Sequence, residues 1–334
     1  MSGKLFVWLL ATILPASVSF AQAQQTKKLV RIGFLVPGTA SSTSARTEAF
    51  LQGLRELGYV DGQNILIDYR YAEGKSDRLA NLAAELVNSE VDVIVAQNYT
   101  TATALSGATK TIPIVVAHGY DPVAAGLAQS YARPGGNVTG LGNLTNDLGG
   151  KRLELLKETV PRVTRIAVLP SPGVRRLETD EIKELQNAAP PLQVRLQFLN
   201  VRVASDLEPA FESATKAHAG ALAVTSDWTG ILIANRKRIA ELALKNRLPS
   251  IYPSNEYTEV GGLMSSGPDV HEMYRRVAYF VDRILKGAKP ADLPVEQPKK
   301  LEFVINLKTA KTLGLTIPAN VLYRADKVIK EAPG

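Results

Sequence analysis

A chain of 334 residues with a hydrophobic fraction of 45% is too apolar to stay disordered, and at roughly 150 residues per domain it is long enough for two lobes. Its formal charge of +7 sits on Lys and Arg interleaved with acids, as in KRLELLKE, RRLETDEIKE and ANRKRIAEL, which excludes the one-sided basic patch of a nucleic-acid binder. There is no cysteine, which excludes disulfides and lipidation at a cysteine.

The chain begins MSGKLFVWLLATILPASVSFAQAQQ: one lysine at Lys4, an apolar run from Leu5 to Leu14, and a small-residue site at Ala21-Gln22-Ala23. That order predicts a signal peptide over 1–23, cut after Ala23, and the run is shorter than the roughly 20 residues of a membrane span. The mature chain is expected in a bacterial periplasm.

From Leu29 onward, short β-branched runs alternate with segments of helical period. The runs are LVRIGFLV (29–36), NILIDYRY (64–71), VDVIVA (91–96), IPIVVA (112–117), TRIAVL (164–169), QVRLQFL (193–199), GALAVT (220–225) and LPSIY (248–252). Between them Leu79, Leu82, Ala83, Leu86 and Val87 share one helix face, as do Leu153, Leu156 and Val160, and later Tyr274, Val277, Ala278, Val281, Ile284 and Leu285. This alternation predicts the α/β class, with doubly wound parallel sheets. It pauses at Gly-rich RPGGNVTGLGNLTND (133–147) and YTEVGGLMSSGPD (257–269), each the composition of a strand leading into a connection. A chain that crosses between lobes and back forms a multi-strand hinge. The expected division is 28–142 plus 264–298 for the N-terminal lobe and 143–263 plus 299–330 for the C-terminal lobe, with a ligand cleft between.

In open α/β sheets ligands bind beyond the carboxyl ends of the strands. Those ends here are PGTASSTS, QNYTTAT, HGYDP, LTND, PSPGVR, SDWTG and YPSNEY, rich in hydroxyl and amide groups with aromatics among them, as a small-molecule site requires. They supply the candidate ligand-binding residues Thr39, Ser41, Ser42, Asn98, Tyr99, Thr100, Thr101, Tyr120, Asp121, Thr145, Ser226, Asp227, Trp228, Ser254 and Glu256. Each loop also has a plainer reading, since Ser, Thr and Asn form turns and caps; Thr100 and Thr145 can cap the helices that follow them. Asp121 before Pro122 reads as a helix start, its carboxylate accepting first-turn N–H bonds, and a ligand contact alongside the cap stays open.

Catalytic and metal signatures are scarce: there is no G-x-x-x-x-G-K-[ST], H-E-x-x-H or G-x-S-x-G. Of three histidines, His218 falls at a helix end and His271 in a first helical turn, both expected on the surface, and His118 lacks an accompanying nucleophile. Neither a cofactor nor a metal is expected.

LGYVDGQNILIDYRYAEGKSDRL, AAELVNSEVDVIVAQNYTTATAL, DPVAAGLAQSYARPGGNVTGL, GGLMSSGPD and YRRVAYFVDRILKGAKPADLPVEQPKKLEFVINLKTAKTLGLTIP closely resemble the family of ABC transporter substrate-binding proteins that includes the tryptophan- and tyrosine-binding lipoproteins. The likeness runs from about Val30 to Ile329. It implies a type I periplasmic-binding-protein fold and delivery of a ligand to an ABC permease driven by a cytoplasmic ATPase. Carried over by position, it implies cleft loops at Thr39 to Thr43, Asn98 to Thr101, around Asp121, and at Ser226, Asp227 and Trp228. Two positions depart from the family: Tyr120 where a small residue is frequent, and Ser266 where an aromatic is. The expected function is therefore non-enzymatic, periplasmic and monomeric: capture of a small organic solute, an amino acid or aromatic carboxylate, by cleft closure. A sensory binding protein signalling to a membrane receptor, and a secreted hydrolase, are the alternatives.

Overall fold

A computed structural model describes residues 29–119, 121–142, 148–172, 180–227, 229–298 and 301–330. The signal segment and the candidate residues Tyr120, Thr145 and Trp228 lie outside the described residues.

All eight β-branched runs form strands. The first five strands are β1 (Val30–Val36), β2 (Ile65–Tyr71), β3 (Val93–Ala96), β4 (Ile114–Val116) and β5 (Val138–Gly140), and they make a wholly parallel sheet in the order β2-β1-β3-β4-β5. The first three connections are the helices α1 (Ser44–Glu56), α2 (Leu79–Asn88) and α3 (Tyr99–Ala108), and β4 runs on to β5 without a helix among the described residues. Strands buried on both faces read as continuous apolar runs, and VIVA and IVV are buried at every position.

The chain continues through α4 (Leu148–Thr159), β6 (Arg165–Leu169), α5 (Asp180–Ala188), β7 (Arg195–Phe198), α6 (Leu207–Lys216), β8 (Ala221–Val224), α7 (Ile231–Ala234), α8 (Arg236–Lys245), β9 (Ser250–Tyr252), α9 (Asn255–Glu259) and β10 (Met264–Pro268). Then come α10 (Val270–Leu285), β11 (Leu301–Asn306), α11 (Leu307–Thr312), α12 (Ala319–Tyr323) and β12 (Lys327–Ile329). The second sheet has the order β12-β11-β10-β9-β8-β6-β7. It is not wholly parallel, because β11 runs antiparallel to β10 and carries β12 with it.

Helices cover both faces of each sheet. One face of the first sheet packs Phe34, Val93 and Val115 against α1 and α10, through Phe50, Tyr274 and Val277; the other packs Leu35, Ile94 and Val116 against α2 and α3. The second sheet is covered by α4, α5, α11 and α12 on one side and by α6, α8 and α9 on the other.

One boundary differs from the expectation. The segment 264–298 was expected wholly in the first lobe, yet Met264–Pro268 pairs with β9 and β11 in the second sheet. The chain crosses at Asp269, whose carboxylate accepts from the N–H groups of His271 and Glu272 (3.1 and 3.2 Å) and so starts α10 on the other lobe. The close approach of β10 to the end of β9 requires Gly267, where a Cβ would lie 1.9 Å from the Pro253 carbonyl oxygen. Two crossing segments are tied together: Leu141 bridges Glu296, and the Gly142 N–H donates to the Glu296 carbonyl at 2.7 Å. No helix among the described residues is long and apolar enough to cross a membrane.

Candidate functional site

The mutually parallel strands of both sheets, β1–β5 and β6–β10, direct their carboxyl ends toward a shared cleft, and a charged cluster spans it. Arg46, in the first turn of α1, reaches from the first lobe to Glu256 in α9 of the second. Its Nε lies 3.0 Å from Oε1 and its Nη2 2.6 Å from Oε2, a two-pronged contact between side chains only 7% and 2% exposed. Burial works against the charge on each partner, but each is the other's counter-ion, so the Arg46 pKa is raised and that of Glu256 lowered. The Nη1 of Arg46 donates to His118 Nε2 at 2.9 Å. Because a guanidinium only donates, that ring nitrogen accepts and the imidazole is neutral. Burial, and then the Arg46 charge, hold the His118 pKa well below 6.5.

A cavity of about 80 Å³ opens beside this cluster, lined among others by Arg46, His118, Ser226, Ser254, Tyr257 and Tyr274. Ser254 Oγ donates to Glu256 at 3.4 Å. Ser226 is fixed from behind, since its N–H donates to Glu181 Oε2 at 3.0 Å. Glu181 is in turn paired with buried Arg152, which donates through Nη1 to the Ser266 carbonyl at 3.1 Å. Three buried hydroxyls of the lining, those of Ser226, Tyr257 and Tyr274, have no hydrogen-bond partner among the described residues.

The expected residues divide into two groups. Ser226, Asp227 and Ser254 line the cavity, and Glu256 meets it through Arg46. Asp227 is nonetheless committed to local structure: its carboxylate accepts from Thr229 N, Gly230 N and Thr229 Oγ1, each at 3.0 Å, and from Ile233 N at 2.9 Å. The other described candidates do not line the cavity. Thr39 and Ser42 exchange hydrogen bonds of 3.0 and 3.2 Å that shape the entry to α1, with Ser41 Oγ 3.1 Å from Thr39 Oγ1. Asn98, and not Thr100, caps α3, in a reciprocal pairing with Thr101 (3.2 and 3.0 Å); the Thr100 hydroxyl bonds Asn98 Oδ1, and Tyr99 is exposed. Asp121 accepts from the N–H groups of Val123 and Ala124, each at 3.0 Å, as a cap does. It begins a single turn and not the expected helix, since the five residues after Asp121 carry only turn geometry before the chain runs on to β5.

Arg46, Tyr257, Tyr274 and Glu181 were not singled out from the sequence. Arg46 stands three and four residues before Ala49 and Phe50, so it lies on the buried face of α1; a charge on an apolar stripe is the signal that marks it. Tyr274 looks like core because it keeps the apolar period of α10, and only its place in the cavity lining beside Arg46 separates it from core. His271, expected on the surface without a partner, is partly exposed and lies 3.7 Å from Glu259. Among the described residues no group of three or more His, Asp or Glu side chains is arranged to hold a metal ion.

Comparison with known proteins bears on the family and the fold. The sequence profile described as ABC transporter substrate binding protein matches residues 31–329. A tyrosine-binding protein of Clostridioides difficile strain R20291 is 27% identical over 291 residues, 87% of this chain and 82% of that one. A solved Streptococcus pneumonia ABC domain in complex with L-Trp superposes with a TM-score of 0.77 at 28% identity, covering 89% of this chain and all of that one. A conserved domain protein from Vibrio cholerae gives 0.80 at 29% identity, covering 90% of this chain and 100% of that one. With a profile match over almost all of the two-lobe fold, the chain belongs to the ABC transporter substrate-binding protein family.

Proposed function

We propose that this protein is the exported, periplasmic capture component of an ABC importer that takes an amino acid between its lobes and hands it to a membrane permease coupled to a cytoplasmic ATPase. The observation that carries the reading is the buried cluster of Arg46, His118 and Glu256, contributed by both lobes, beside a cavity at the strand ends. Charged and hydroxyl groups from two walls can meet a solute only when the walls close, so binding energy is converted into closure. The names of the tyrosine-binding relative and of the L-Trp complex favour an amino acid with an aromatic side chain. No covalent step is required of any residue in the cluster.

The test is calorimetric titration of the chain beginning after Ala23 with the twenty L-amino acids. Saturable binding of one or a few, tyrosine and tryptophan first among them, is the expected result; absence of binding to all of them overturns the amino-acid reading. Loss of uptake in cells lacking the gene, restored by the wild-type chain, tests the importer role.

A further inference from the structure

The chemistry of the cavity is set by which of its polar groups are already committed. Glu256 takes two donors from Arg46 and one from Ser254, and Asp227 takes four donors within its own turn. Both carboxylates are thus occupied. The lining hydroxyls of Tyr257, Tyr274 and Ser226 have an O–H to give, and the Arg46 guanidinium, which only donates, stands against the Tyr274 hydroxyl oxygen. Tyr257 and Tyr274 are 1% and 0% exposed, so their hydroxyls cannot turn to bulk water. A buried hydroxyl with no partner is costly, and a native site that keeps two of them in one cavity leaves them for a ligand group.

We infer that Tyr257 and Tyr274, one from each lobe, donate together to the carboxylate of the bound solute, with Arg46 beside them. A carboxylate offers two oxygens with about four acceptor positions, enough to receive both phenols and a guanidinium hydrogen. Charge-assisted bonds of this kind are about twice as strong as neutral ones, which sets a carboxylate above an amide or a sugar hydroxyl in the same place. Burial, the first cause of the shift in both, raises both phenol pKa values, so the two remain O–H donors across the physiological range. Since α9 and α10 belong to different lobes, a carboxylate held between them also bridges the closed cleft. The inference rests on the cavity being the solute site proposed above, and it names the group of the solute that the cavity receives.

The test uses a panel of L-amino acids and aromatic carboxylic acids, each paired with its primary amide, titrated against wild type, Tyr257→Phe, Tyr274→Phe and the double variant. The expected result is an acid that binds wild type more tightly than its amide, a preference reduced about tenfold by each substitution and nearly abolished by both. The inference is overturned if no acid outperforms its amide on wild type, or if the preference survives in the double variant. If the acids that bind lack an α-ammonium group, the amino-acid reading fails and the carboxylate assignment stands. Removing a buried hydroxyl that has no protein partner leaves the ligand-free melting temperature unchanged or higher. A fall of several degrees in either single variant would instead show a structural partner and overturn the assignment.

Discussion

His118 sits at the end of β4 as a neutral base pressed against a permanent cation, and this gives the closed cleft a pH dependence of definite sign. Its pKa is lowered from 6.5 by burial and by Arg46, and in the proposed capture cycle opening of the lobes returns part of that burial to water. Below pH 6.5 the open form therefore binds more protons than the closed form, so closure is favoured above that pH and weakens as the pH falls through it. Ligand affinity measured between about pH 7.5 and 5 should drop on the acid side in wild type, and that drop should be lost in His118→Gln. A wild-type affinity that rises toward acid would refute this account. Asp227 illustrates the other side of residue-level reading. Its aspartate chemistry and loop position are legible as a ligand contact, but four donors of its own turn, together with Ser171 Oγ at 3.3 Å, hold it at the start of α7. Asp227→Ala should lower ligand-free stability by about 2 kcal/mol, the upper range for a lost cap, as read by denaturant unfolding. If only ligand affinity changes, Asp227 is a ligand contact and not a cap. Thr39, Ser42, Asn98 and Thr101 follow the same pattern, because hydroxyl and amide side chains at strand ends satisfy helix starts before they satisfy anything else.

The elements were far more legible than their pairing. Eight apolar runs became strands because β-branched residues in short runs bounded by turn formers have few other ways to be buried. The stripe of α10 was visible at Tyr274, Val277, Ala278, Val281 and Ile284, all now in the core of the first lobe. The antiparallel turn of β11 was not, since LEFVIN carries the same apolar alternation whichever way it runs. Which helix lies against which was equally hidden, and α1 against α10 is the clearest case. They cross at Gly53, where a Cβ would meet Ala278 Cβ at 2.9 Å and the Arg275 Cα at 3.0 Å, contacts that backbone cannot relieve locally. Gly53→Ala gains about 1 kcal/mol of helix propensity but overpacks the seam at a cost of about 1–3 kcal/mol. A net fall in melting temperature is expected, and an increase would show that α10 can move away freely. On the same helix, His271 faces Glu259 of α9 at 3.7 Å, which raises its pKa and contributes stability below pH 6.5 that is lost as the pH rises through the raised value. Its sign is opposite to that of His118, and being about one third exposed it is the weaker of the two.

At the scale of the whole molecule, two lobes were legible from three crossings of the chain, and the misplaced strand β10 shows the limit of that view. A Gly-rich pause marks that a crossing is near, but whether the adjoining strand belongs before or after it depends on partners distant in sequence, here Ser250–Tyr252 and Leu301–Asn306. The ion pair of Arg46 with Glu256 spans 210 positions and belongs to neither lobe alone. Removing one member of a buried pair inside a single core costs about 3–5 kcal/mol, because the remaining charge has nowhere to go. Across a cleft it does have somewhere to go: the lobes part, water reaches Arg46, and the penalty is capped at the free-energy difference between closed and open forms. Glu256→Gln should therefore enlarge the radius of gyration of the ligand-free protein in small-angle scattering and weaken ligand binding, with little change in the unfolding midpoint. The opposite pattern, an unchanged radius with a melting temperature lowered by several degrees, would mean that the pair holds the fold together and that the closed arrangement is kept by other contacts, such as that of Arg236 Nη1 with the Ser42 carbonyl at 2.9 Å.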